Sequence, residues 1–64
     1  MDKDLKAWIQ LAEAAGWRVE HKSKHYKFYP ADPTKQMVVV SATPSDWRSR
    51  LNERARLRRS GLAV

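Results

Sequence analysis

The chain has 64 residues, with 13 Lys plus Arg against 7 Asp plus Glu, a formal charge of +6 and no cysteine. That length allows one small domain, here read as spanning 1–64. The missing cysteines exclude a disulfide framework and a thiolate zinc site. The core must therefore come from packing alone. A hydrophobic share of 42% is enough for one and too much for a disordered tail. No apolar run approaches the roughly 20 residues of a membrane span. The acidic start Met1-Asp2-Lys3-Asp4 lacks the basic-then-apolar plan of a secretory signal. These features predict a soluble, cytoplasmic protein with no membrane contact. Its charge favours a polyanionic partner, nucleic acid first.

Residues 3–15 predict a helix, because Leu5, Trp8, Ile9, Ala12 and Ala15 recur on one face. Asp2 and Asp4 suit its N-terminal dipole, and Gly16 is a natural stop. Residues 17–21 alternate as a strand with Trp17 and Val19 inward, and Lys22-Ser23-Lys24 is a hairpin-length connection. Residues 25–29 alternate again, with Tyr26 and Phe28 on one face and His25, Lys27 and Tyr29 on the other. Pro30 to Gln36 reads as a loop, and residues 37–41 as a β-branched strand. Thr43-Pro44-Ser45-Asp46 is a strong helix start, with Thr43 as the cap. The helix it opens runs to about Ser60, and Gly61 ends it. Its apolar stripe reads as Trp47, Leu51, Ala55 and Leu62, with Arg54 and Arg58 close by and Leu57 to one side. The expected class is α+β, in the order α-β-β-β-α. Two helices would cover one face of a three-stranded antiparallel sheet and leave the other wet. This is the layout of a double-stranded-RNA-binding-domain-like fold.

The charge is uneven. Residues 1–16 carry a net −1, residues 17–42 a net +3 and residues 43–64 a net +4. Alternation groups His25, Lys27 and Tyr29 on the exposed sheet face, with Lys22 and Lys24 beside them. An imidazole, with a reference pKa of about 6.5, can take the proton of a ribose 2′-OH near neutral pH. Adjacent lysines can steady the charge that builds on the attacked phosphate. His25 is therefore the candidate general base, and Tyr29 a candidate stacking platform for an unpaired base. Arg48, Arg54, Arg58 and Arg59 of the second helix are candidate phosphate contacts. His21 and His25 lie four apart across a turn with no third ligand at metal spacing, so no metal site and no cofactor are expected. Glycine-rich phosphate loops, paired-carboxylate sites and Ser-His-Asp orders are absent from the sequence.

Gly16-Trp17, Ser23-Lys24-His25-Tyr26-Lys27-Phe28, Val38-Val39-Val40 and Leu57-Arg58-Arg59-Ser60-Gly61-Leu62 together resemble the HicA toxin family. The likeness covers nearly the whole chain. Thr43-Pro44-Ser45-Asp46 further resembles a branch found in actinobacterial phages and prophages. The resemblance implies a small, metal-independent endoribonuclease that cuts single-stranded messenger RNA, with the family's catalytic histidine falling on His25. It also implies neutralisation by an acidic HicB-like antitoxin. The chain departs from the pattern at two places. Ser23-Lys24 stand where the family has Gly-Ser, and Val40-Ser41-Ala42-Thr43 where it has Val-Pro-x-His. Those departures leave a second reading open, a non-catalytic module of the same fold that binds nucleic acid or protein.

Overall fold

A computed structural model of the protein describes residues 3–42 and 47–64. Helix α1 spans Lys3–Ala14, strand β1 Arg18–Lys22, β2 His25–Tyr29, β3 Val38–Ser41, and helix α2 Trp47–Arg59. The α-β-β-β-α order expected from the sequence is the order found. Asp2, the cap expected at Thr43-Pro44-Ser45-Asp46 and the Trp47 side chain lie outside the described residues.

Both helices end by the same device. Gly16 and Gly61 have φ of +83° and +103°, a region that costs an L side chain roughly 1–2 kcal/mol. The Gly16 N–H donates to the Glu13 carbonyl (3.1 Å) and the Trp17 N–H to the Ala12 carbonyl (2.8 Å). The Gly61 N–H donates to the Arg58 carbonyl (3.0 Å) and the Leu62 N–H to the Leu57 carbonyl (3.0 Å). This paired pattern is a Schellman motif. It delivers the next residue, Trp17 or Leu62, into the core. Trp17 thus closes α1 instead of opening β1, which begins at Arg18 and runs one residue further than alternation predicts.

The strands lie in the order β1-β2-β3, antiparallel throughout. Lys22 faces His25 across a two-residue turn of Ser23 and Lys24. Of these two, only Ser23 has positive φ, +58°. That is the signature of a type II′ turn, whose first central position favours glycine. In the connection from β2 to β3, Asp32 accepts the Thr34 N–H (2.9 Å) and the Thr34 hydroxyl (2.7 Å). The backbone bond first, and then the hydroxyl, hold the Asp32 carboxyl below its ordinary value.

The core is continuous across both layers. α1 supplies Leu5, Trp8 and Ala12, the sheet supplies Tyr26, Phe28, Val38 and Val40, and α2 and its exit supply Leu57 and Leu62. Full burial of a side chain such as Phe28 or Leu57 is worth roughly 1.5–3 kcal/mol. α1 packs along β1 and α2 along β3, both on the core face of the sheet. The opposite face carries Arg18, Glu20, Lys22, His25, Lys27, Tyr29 and Val39.

One expectation is overturned. The inner face of α2 is not the Leu51–Ala55 stripe. Leu51 is 49% exposed, Ala55 is exposed, and Leu57 is 0% exposed. Arg50, Glu53, Leu57 and Ser60, spaced by three and four residues, are the buried set. The reason is a polar pair on the inner face. Arg50 donates to Glu53 (2.8 Å) and to the Ser41 carbonyl (2.9 Å), and Glu53 accepts the Ser41 N–H (2.8 Å). The Arg50 guanidinium also lies 5.6 Å from the centroid of the Trp8 ring, tying α2 to α1. Ser60 donates its hydroxyl to the Gln36 carbonyl (2.9 Å). A hydrophobic pattern scores these positions as outward, so it rotates the helix away from its true packing face.

Candidate nucleic-acid interface

Alternation along β1 and β2 builds the uncovered sheet face. Tyr26 and Phe28 turn into the core, so His25, Lys27 and Tyr29 turn out. On β1 the same rule places Arg18, Glu20 and Lys22 opposite Tyr29, Lys27 and His25 respectively. Directly opposed residues in such pairs have Cβ atoms about 4.5–5.5 Å apart. Lys22 is therefore the immediate cross-strand neighbour of His25, and Lys27 lies two residues along β2 on the same face.

Lys22, Ser23, His25, Lys27 and Val39 line one open depression of about 390 Å³. His25 is exposed at its rim, and Lys27 is half-buried. Across the sheet His25 is in register with Ser41. The face has Arg18, Lys22 and Lys27 against Glu20, so 3 − 1 = +2. Glu20 is engaged by Arg18 at 3.1 Å. That arrangement leaves the His25 end of the face the more positive. It can hold a phosphate between Lys22 and Lys27 with an imidazole alongside.

The remaining expected site residues fall in three places. Lys24 is exposed in the turn, and its carbonyl accepts the Ala42 N–H (2.8 Å), pinning the turn to the end of β3. Tyr29 is on the outer face and half-buried, and the Arg18 guanidinium sits 4.5 Å from its ring centroid. A base stacking there meets an arginine first, and an arginine plane is itself a stacking partner. Arg18 carried no separate signal in the sequence. Its place over the Tyr29 ring follows from the pairing of the two residues, which alternation could have supplied.

The α2 arginines are not on this face. Arg54 joins Asp4, Trp8 and Leu11 in the groove between the helices. Arg58 lies beside Arg54 and donates twice to the Val64 carbonyl (3.2 and 2.9 Å). Arg59 lies with Arg56 beside Met37 and Val38, at the β3 side of the molecule. Arg48 is exposed in the first turn of α2. The sheet separates the His25 depression from the inter-helix groove. The expected residues thus do not form one basic region: Lys22 and Lys27, Arg54 and Arg58, and Arg59 lie in three separate places.

His21 turns to the core side of β1, where its ring stacks on Tyr26 at 4.3 Å between centroids and 5° between planes. Among the described residues, no group of three His, Cys, Asp or Glu could hold a metal ion. Among them, too, no helix is long and apolar enough to cross a membrane. No protein-family model, curated protein or solved structure matches the chain.

Proposed function

We propose that the uncovered sheet face binds single-stranded RNA and that His25 acts there as the general base of a metal-independent, HicA-like endoribonuclease. The observation that carries this reading is the clustering of His25, Lys22 and Lys27 around one open depression on a sheet face that neither helix covers. In the proposed step His25 takes the proton of a ribose 2′-OH. The 2′ oxygen then forms a bond to the adjacent phosphorus as the bond to the 5′ oxygen breaks. Lys22 and Lys27 stabilise the extra negative charge on the phosphate, and water or a lysine ammonium protonates the departing 5′ oxygen. The products are a 2′,3′-cyclic phosphate and a free 5′-OH. Arg18 and Tyr29 hold the flanking nucleotide. An acidic HicB-like partner would silence the chain by covering this same face.

Ser23 supports the likeness to the family in one respect and weakens it in another. It occupies, at φ +58°, a backbone conformation that the family's glycine takes without strain. Its side chain, however, stands where glycine would leave the backbone open to a phosphate. This favours, as the second reading, a module that binds RNA without cutting it. Incubation of the chain with single-stranded RNA, beside a His25→Ala variant, separates the two. Cyclic-phosphate ends that disappear in the variant are expected. Equal binding by both proteins with intact RNA would sink the ribonuclease and leave the module.

A further inference from the structure

We infer that the free edge of β3 is a docking site for an extended, acidic segment of a partner protein, which adds to the sheet as a fourth strand beneath Arg56 and Arg59. The inference rests on the backbone groups of the strand edge and shares with the outer face only the Val39 side chain, so it stands whether or not the RNA reading does.

β3 is an edge strand, with β2 on one side only. The direction of its backbone groups follows from Ser41. The Ser41 N–H and carbonyl both point away from β2, because they meet Glu53 and Arg50 of α2. That carboxylate and guanidinium supply the acceptor and the donor that a neighbouring strand would supply. Residues two apart on a strand point the same way, so the Val39 N–H and carbonyl also face outward. No described group meets them. The edge is thus satisfied at one end by side chains and open at the other.

The two edges of this sheet differ. β1 carries Arg18, Glu20 and Lys22, charges that discourage strand pairing. β3 reads Val-Val-Val-Ser and has no such guard, with Val39 41% exposed and Met37, just before it, 40% exposed. Long unguarded apolar edges invite addition, and even a short one is a template for a matching segment.

Charge selects the occupant. Arg56 and Arg59 project from α2 over this edge and line a depression of about 260 Å³ with Gln36, Met37, Val38 and Ser60. Neither has an acidic partner among the described residues. A second copy of the chain pairing β3 to β3 would bring both arginines of each copy to one seam, uncompensated. A segment that alternates carboxylates with apolar residues meets Arg56 and Arg59 on one side and Val39 on the other.

The test uses the full chain and a synthetic peptide of about eight residues alternating Val and Glu, the length of a typical strand. Addition to β3 shifts the Val39 amide resonance and slows its hydrogen exchange at least about tenfold. Arg56→Gln with Arg59→Gln weakens the peptide about tenfold. Val39→Pro removes an N–H that β2 does not use and so abolishes binding. Should that variant disturb the sheet, the glutamine pair carries the test by itself. Four outcomes overturn the proposal. Equal binding by peptides N-methylated at alternate amides, in either register, would show that no strand forms. Shifts confined to Lys22, His25 and Lys27, with the Val39 amide unmoved, would place the peptide elsewhere. An oligouridylate moving Val39 where the peptide does not would assign the edge to nucleic acid. Concentration-dependent self-association at Val39 would assign it to a second copy.

Discussion

Glu53 is a carboxylate inside a protein of only 64 residues, and it is held there by two donors. The Arg50 guanidinium and the Ser41 N–H both bond to it at 2.8 Å. Removing Glu53 takes a carboxylate at 2.8 Å from the buried Arg50 guanidinium and leaves the Ser41 N–H without its acceptor, the kind of loss that costs about 3–5 kcal/mol. A domain this small has at most about 3–5 kcal/mol from its core. Glu53→Ala is therefore expected to leave the chain largely unfolded in a urea titration. Arg50→Ala in addition should cost far less than the sum, because the two changes remove one shared ion pair. Ser23 is the opposite case, a residue whose replacement helps. Ser23→Gly relieves the positive φ of the type II′ turn and should raise stability by up to about 1 kcal/mol, read as a higher urea midpoint. Asp32 gives a pH dependence. Its carboxyl is lowered by the Thr34 N–H first and the Thr34 hydroxyl second. A depressed carboxylate contributes stability above its unfolded pKa and loses it as pH falls through the folded value. The advantage of the natural chain over Asp32→Ala should thus be constant near neutrality and shrink below about pH 4.

Among the elements, α2 separates what the sequence discloses from what it hides. Its end was legible: Gly61 marks the stop, as Gly16 does for α1, because few residues other than glycine accept that φ. The strands were legible too, since Tyr26 and Phe28 against His25 and Lys27 admit one assignment of faces. The orientation of α2 was not. Hydrophobic periodicity assumes that the inner face is apolar, and here half of that face is Arg50 and Glu53 serving the edge of β3. A paired substitution measures the rotation directly. Leu57→Ala should cost about 2–5 kcal/mol by opening a cavity. Leu51→Ala, on the face that periodicity favours, should stay within about 0.5 kcal/mol. The reverse ranking would restore the stripe read from the sequence. The same logic explains the candidate site. His25, Lys22 and Lys27 could be grouped by alternation along adjacent strands. The α2 arginines could not be assigned to a face, because their positions depend on how the helix is rolled.

At the scale of the whole molecule, a charge of +6 is divided by the sheet. Lys22 and Lys27 flank His25 on the outer face, and Arg54 and Arg58 lie on the helical layer behind it. A single strand of RNA laid across the outer face can reach the first pair without approaching the second. The salt dependence of binding counts the phosphates a protein neutralises, at about 0.7 per contact for single-stranded nucleic acid. Lys22→Gln with Lys27→Gln should therefore lower the slope of log affinity against log salt by about 1.4. Arg54→Gln with Arg58→Gln removes the same charge from the molecule and should leave that slope nearly unchanged. Binding measured across a series of salt concentrations decides between a local contact and a general attraction to a basic protein. Equal changes in the two double variants would mean that RNA responds to net charge alone, and the outer face would lose its claim to be the site.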